Sequence, residues 1–315
     1  MFTVKRVVIA LGGNALEKTG LPPTAESQLL VIKQTAAHIA DIVQVGYEVV
    51  ITHGNGPQVG RILLASEGAA ALTPAMPFDV CGAMSQGYIG YHLQQCLQQE
   101  LQKVNVKKPV ATIVTQVLVD KNDKAFQNPS KPIGPFYSED EAKSLAAEKG
   151  YAMKEDAGRG WRRVVPSPLP IGIIEIEPLK ALVDNGCVII ACGGGGIPVI
   201  KAEDGLEGVP AVIDKDFASE RLAEELNADM LVILTVVDKA QVNFNKPDQR
   251  GIDLCTAEEM ETYIKEGHFA PGSMLPKVEA CVKFVKSQAG RTAVISSLEH
   301  AGQAIEGKAG TRITG

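Results

Sequence analysis

Three glycine-rich runs and three lysines carry the chemistry within reach of this 315-residue sequence. Gly12-Gly13-Asn14, Gly54-Asn55-Gly56 and Gly193-Gly194-Gly195-Gly196 each follow a short apolar run, at residues 7–11, 49–52 and 187–192. In an open α/β sheet ligands sit outside the carboxyl ends of the strands, where glycines admit the backbone closely and N–H groups at a following helix point toward an anion. One such glycine pair is equally a tight turn. Three of them at strand ends point to a single anion-binding crevice.

Main-chain N–H groups leave much of a polyphosphate charge uncompensated, so lysines are expected beside these loops. Lys131 sits between prolines in Asn128-Pro129-Ser130-Lys131-Pro132, Lys215 lies between Asp214 and Asp216, and Lys277 follows Gly272-Ser273-Met274-Leu275-Pro276. Taken singly, each lysine reads as a solvated surface group, and Asp216 as the cap of a helix beginning at Phe217. Taken together, they suit phosphoryl transfer to an acceptor that is already an anion. Such a step rests on alignment and charge stabilisation and needs no base.

Other chemistries find little support. The histidines His38, His53, His92, His268 and His300 form no H-E-x-x-H pair and stand near no recognised nucleophile motif. His53, beside the second glycine loop, reads as a structural hydrogen-bonder rather than a base. The six cysteines show neither a C-x-x-C pair nor zinc spacing, which suggests buried reduced thiols. No G-x-x-x-x-G-K-[ST] occurs, and Gly54-Asn55-Gly56-Pro57-Gln58-Val59-Gly60 misses G-x-G-x-x-G by one position. A Walker ATPase is therefore unsupported, and a nucleotide-dependent oxidoreductase is the weaker enzyme alternative.

The elements that must position these groups follow from hydrophobic period. Apolar runs at 7–11, 49–52, 110–115, 187–192, 230–235 and 292–296 lack polar alternation, as strands covered on both faces do. Helical periodicity fills the intervals at 27–45, 84–103, 216–226, 257–266 and 276–288. This alternation predicts an α/β fold, a three-layer αβα sandwich with a mainly parallel central sheet. Residues 121–170, with six prolines from Pro129 to Pro170 and one brief helical stretch near 139–149, read as an insertion. It serves either as a substrate lid or as inert surface elaboration.

Composition narrows the partners. A net charge of -6 gives no overall positive field to hold a nucleic acid. With 45% hydrophobic and 22% charged residues the chain is an ordinary folded protein. Its longest stretch without charged side chains, 80–99, carries His92 and several glutamines, so no membrane span is expected. The N-terminal apolar run stops at Gly12 without the features of a secretory signal, and a cytoplasmic location is expected.

Longer motifs occur in a fixed order: Ala10-Leu11-Gly12-Gly13-Asn14-Ala15, His53-Gly54-Asn55-Gly56-Pro57-Gln58-Val59-Gly60, residues 129–136, Glu155-Asp156-Ala157-Gly158-Arg159-Gly160-Trp161-Arg162, residues 192–198, Val212-Ile213-Asp214-Lys215-Asp216-Phe217-Ala218-Ser219, and residues 268–277. Through them the chain resembles, from end to end, the carbamate kinases, a family with the amino-acid kinase fold. The resemblance implies reversible phosphoryl transfer between carbamoyl phosphate plus ADP and carbamate plus ATP, mainly ATP-generating in arginine and carbamoyl phosphate catabolism. It also implies a cytoplasmic homodimer and Mg2+ carried mainly by the nucleotide phosphates, with no protein metal ligands.

By similarity, Lys131 on a protruding lid would meet the carbamate or the moving phosphoryl group, Lys215 and Lys277 would neutralise phosphate charge, and Asp216 would hold those lysines in place. Gly12, Gly13, Asn14, Gly54, Asn55, Gly56, Gly194 and Gly195 would surround the carbamoyl phosphate. Thr235, Val237, Asp238, Phe244, Gly272, Ser273, Met274 and Lys277 would bind the nucleotide. Residues 1–216 would form the N-terminal lobe, with the lid at about 121–170, and 217–315 the nucleotide lobe. Val236-Val237 stands where relatives often carry a smaller residue, and Phe244 where many have tyrosine. Two alternatives stay open: a fold relative that phosphorylates an N-acetylated amino acid, against which the insertion argues, and a sensor that binds without catalysis, against which the full lysine set argues.

Overall fold

The computed structural model describes residues 5–18, 20–156 and 158–315. Its centre is an eight-stranded sheet in the order Leu254–Thr256, Thr311–Thr314, Thr292–Ser297, Met230–Thr235, Arg6–Leu11, Glu48–His53, Val188–Ile190, Val110–Thr112. All neighbours run parallel except Thr311–Thr314 against Thr292–Ser297. The six apolar runs supply six of these strands. They are apolar at consecutive positions because both faces are covered: Val8 and Ala10 join one core, and Val7, Ile9 and Leu11 the other. Helices Ala25–Gln44 and Phe78–Lys103 cover one face, and Lys215–Glu225 and Met274–Ser287 the other. The protein is thus a three-layer αβα sandwich with a mainly parallel central sheet.

Two expected strands are shorter than their apolar runs, for one reason. The run at 110–115 leaves the sheet after Thr112, and Gln116–Val119 pairs instead with Ile197–Ala202 in a second, four-stranded sheet. The run at 187–192 stops at Ile190, because Cys192 (φ 50°) begins a left-handed path that Gly194, Gly195 and Gly196 continue at φ 68°, 93° and 83°. Gln86 joins the two exits. Its carbonyl accepts from Thr115 N (2.8 Å), while its amide donates to the carbonyls of Thr115 (3.1 Å) and Gly193 (3.0 Å).

The proline-rich segment is more ordered than its composition suggests. Lys131–Tyr137, Trp161–Val165 and Met153–Glu155 form a three-stranded antiparallel sheet, with helix Glu139–Lys149 following the first strand. Pro132 and Pro135 are tolerated because Lys131–Tyr137 is an edge strand whose register breaks between Ile133 and Tyr137. A Ser138/Glu141 capping box opens the helix, and Gly150 at φ 68° closes it. Helix Gly56–Gly68 also escaped the periodicity reading. Its Gly-Pro start looks like a loop, yet proline in the first turn gives up only an N–H that has no helical partner.

The turn at 193–196 tests how far glycine is required. A Cβ on Gly196 would lie 2.1 Å from Cγ2 of the fully buried Val117, whereas one on Gly186, at a similar φ of 80°, would meet nothing within 4 Å. Gly186→Ala is expected to cost about 1–2 kcal/mol, the ordinary left-handed penalty. Gly196→Ala is expected to add overpacking and cost at least about 3 kcal/mol. Urea unfolding midpoints of the two variants check the difference.

Candidate active site

The sheet delivers its glycine turns to one place. Gly12 N donates to Leu234 O (3.1 Å), Gly54 N donates to Leu11 O (3.2 Å), and Asn14 Nδ2 donates to Thr235 O (3.3 Å), so the ends of three adjacent strands are tied together. The packing is close enough to exclude side chains. A Cβ on Gly12 would stand 2.8 Å from Leu234 O, one on Gly194 2.1 Å from Asn55 Nδ2, and one on Gly195 2.1 Å from Ile213 O. Gly13, Gly54, Asn55, Gly56 and Gly194 line a cavity of about 210 Å³ together with Lys131 and Lys215.

The three lysines, far apart in sequence, meet through two aspartates. Lys131 Nζ lies 2.5 Å from Asp214 Oδ2. The other oxygen of Asp214 accepts from Asp216 N (2.9 Å) and so caps helix Lys215–Glu225. Asp214, not Asp216, is therefore the cap, and Asp216 lies inside the helix. Its carboxylate sits between Lys215 Nζ at 2.5 Å and Lys277 Nζ at 3.1 Å, and Lys277 also donates to Ser273 O (3.1 Å). Three ammonium groups face two carboxylates, which leaves net positive charge beside the glycine turns.

Electrostatics fix the charge states. Burial alone would raise the Asp216 pKa, but Lys215 and Lys277 outweigh it and hold the group down at about 2. Burial lowers the Lys215 pKa from its ordinary value, with the neighbouring Asp216 opposing that shift and Lys277 reinforcing it. His53 is buried, and its Nδ1 donates to Gly54 O (2.9 Å). Desolvation pushes its pKa down to about 4; the bond to Gly54 opposes this and the Lys215 charge adds to it. A neutral, sequestered imidazole is a structural hydrogen-bonder.

Of the residues expected to meet the nucleotide, Thr235 ends the strand Met230–Thr235 beside Arg6–Leu11, and the others follow it in the C-terminal half. Val237 is half-buried, and Asp238 is exposed with its carboxylate 3.0 Å from His300 Nδ1. Phe244 is exposed, and the neighbouring Asn243 N donates to His268 Nδ1 (3.4 Å). Gly272 turns at φ 70° into Ser273 and Met274, where helix Met274–Ser287 begins, and the Ser273 carbonyl links this turn to Lys277. Asp214, Ser85 and Gln86 were not singled out in the sequence. Asp214 alone left a trace, as an acidic residue directly before a helix. Asn55 Nδ2 donates to Ser85 Oγ (2.7 Å), which fixes the orientation of the Asn55 amide in the cavity wall.

The sequence model of the amino acid kinase family matches residues 5–296. A carbamate kinase of Clostridium perfringens is 58% identical over 311 residues, covering 98% of this chain and 99% of its own. Another from Pyrococcus horikoshii is 54% identical with the same coverage. The chain belongs to the carbamate kinase branch of the amino acid kinase family. Its fold superposes with a TM-score of 0.92 on the carbamate kinase of Giardia lamblia bound to AMP-PNP, at 47% identity, covering 100% of this chain and 99% of that one. Members of this branch are kinases, enzymes that transfer a phosphoryl group, and that activity matches the lysine-lined glycine crevice.

The His53 shift has a definite sign. An unfolded imidazole titrates near 6.5 and the folded one at about 4, so between these values the unfolded chain binds the extra proton. The His53 contribution to stability is expected to be lost as pH drops from 6.5 toward 4, against an opposite contribution from Glu220, whose buried carboxyl is pushed up to about 8. Asp216 contributes a separate loss lower still, from 3.8 through about 2. Urea unfolding across pH 4–7, with the His53 ring followed by NMR, checks it. A ring titrating near 6.5 would contradict the burial argument.

Proposed function

We propose that this protein catalyses reversible phosphoryl transfer between carbamoyl phosphate plus ADP and carbamate plus ATP. The observation that carries the reading is the chain Lys131–Asp214–Lys215–Asp216–Lys277 laid beside glycine turns that share one cavity. In the ATP-forming direction a terminal oxygen of ADP attacks phosphorus, and the bond from phosphorus to the carbamoyl oxygen breaks, releasing carbamate. Both oxygens are anionic when they act as nucleophile, so no base is required, in keeping with a buried neutral His53. Lys215 and Lys277 would stabilise charge spread over the phosphoryl oxygens, and Lys131 would meet the carbamoyl end. Gly12, Gly13, Gly54, Gly56, Gly194 and Gly195 would contribute close main-chain contacts.

Mg2+ would enter on the nucleotide phosphates. Asp214 and Asp216 are engaged by lysines, and the described residues hold no group of three or more metal-ligating side chains, a donor set that suits a metal carried by substrate phosphates. When bound, it would neutralise phosphate charge. We place the enzyme in the cytoplasm, within arginine and carbamoyl phosphate breakdown. The six unpaired thiols suit a reducing compartment, and no described helix is long and apolar enough to cross a membrane. A homodimer is supported by Val80, Met84 and Tyr91, exposed on one face of helix Phe78–Lys103.

Purified protein with ADP, Mg2+ and carbamoyl phosphate is expected to form ATP, read by luciferase. Binding without ATP would favour a sensor, and turnover only with another phosphoryl donor would favour a different carboxylate substrate. Lys215→Ala and Lys277→Ala are each expected to lower turnover by about 10²- to 10³-fold, with folded circular dichroism retained. A near-normal rate in either removes that lysine from the mechanism.

A further inference from the structure

We infer that Gln58 reads the amino group of the small substrate, held in the orientation that does so by Glu17 and Arg61. The inference rests on the carbamoyl phosphate reading above. Gln58 is buried at the start of helix Gly56–Gly68 and belongs to the wall of the 210 Å³ cavity, near Lys131 and Lys215. Its Nε2 donates to Glu17 Oε2 (3.2 Å). Glu17 is itself fixed: Arg61 grips both oxygens (3.1 and 2.7 Å), Gln28 Nε2 donates at 3.4 Å, and Glu17 N donates to Gly13 O (2.9 Å).

A carboxylate only accepts hydrogen bonds, so the NH2 end of the Gln58 amide must face Glu17. The carbonyl end is what remains, since the bond to Glu17 is the one hydrogen bond recorded for the Gln58 side chain among the described residues. The rest of the wall supplies cations and main-chain N–H groups, which suit the phosphate and carboxyl oxygens of the substrate. An amino group needs the opposite, an acceptor. Asn55 is turned the same way: its Nδ2 donates to Ser85 Oγ, which passes its own hydrogen to Gly82 O (2.6 Å), leaving a second amide carbonyl in the wall.

A carbonyl placed to accept from –NH2 gains nothing from a methyl group in the same position and is left desolvated without a donor. The pair of acceptors therefore selects a carbamoyl group over an acetyl group of nearly equal size. Arg61 and Glu17 are positioning residues, acting through Gln58. Without the acceptor-only carboxylate, the Gln58 amide is free to turn over and present N–H.

The test compares kcat/KM for ATP formation from ADP with carbamoyl phosphate and with acetyl phosphate. Gln58→Met, close in volume and without polar atoms, is expected to lose about tenfold more on carbamoyl phosphate than on acetyl phosphate. Glu17→Gln, which offers an NH2 to the Gln58 amide, is expected to lower the same ratio and provides the measurement should Gln58→Met fail to fold. Equal losses on both donors in Gln58→Met, or an unchanged ratio in Glu17→Gln, overturn the inference and leave the kinase reading standing. Wild-type protein that forms no ATP from carbamoyl phosphate overturns both.

Discussion

A buried carboxylate between two ammonium groups is the constraint on which the site depends. Asp216 lies inside helix Lys215–Glu225, where an isolated charge would be expelled or protonated. Lys215 and Lys277 keep it ionised, and it in turn keeps both lysines converging on the glycine turns. Removing one partner of such a buried pair typically costs about 3–5 kcal/mol, so the triad is also a fold element joining two helices. The surplus positive charge survives because Asp214 is shared between Lys131 and the helix N-terminus.

Around this charge the backbone must come unusually near. At Gly194 and Gly195 a methyl group would overlap Asn55 and the Ile213 carbonyl, and the φ values there are left-handed as well. Space and conformation therefore demand the same residue type. Gln86 closes the arrangement by satisfying three main-chain groups at a point where two strands leave the sheet, groups that would otherwise be buried unpaired.

The strand Lys131–Tyr137 brings Lys131 into the site from the small antiparallel sheet. Gly60 and Gly134 stand where helix Gly56–Gly68 and strand Lys131–Tyr137 touch, near enough that a Cβ on Gly60 would fall 2.1 Å from Gly134 Cα. Arg163 pairs with Glu67 (3.1 Å) and stacks on Tyr151 at 3.7 Å, while Arg162 donates to Gly134 O (2.9 Å). The Gly60–Gly134 and Arg163–Glu67 contacts hold the small sheet against helix Gly56–Gly68, and the Arg162 and Tyr151 contacts brace it from within. The same helix carries Gln58, so one rigid element positions both Gln58 and the strand that bears Lys131.

The sequence by itself determined the layered α/β fold, because strands covered on two faces must be apolar at consecutive positions, and runs such as 7–11 and 230–235 can be little else. It also determined the glycine turns, since few other residue types tolerate such close approach and left-handed φ. It did not reveal the small antiparallel sheet, where Pro132 and Pro135 imitate a loop on an edge strand, nor the helix hidden behind Gly56-Pro57. Tertiary structure alone decided that Lys131, Lys215 and Lys277 share two carboxylates, that Asp214 caps the helix Asp216 was thought to open, and that Glu17 turns the Gln58 amide. The Asp214 cap is a local choice between two neighbouring aspartates, but the Lys131–Asp214, Lys277–Asp216 and Gln58–Glu17 contacts join residues 83, 61 and 41 positions apart, and local pattern carries no information about such distances.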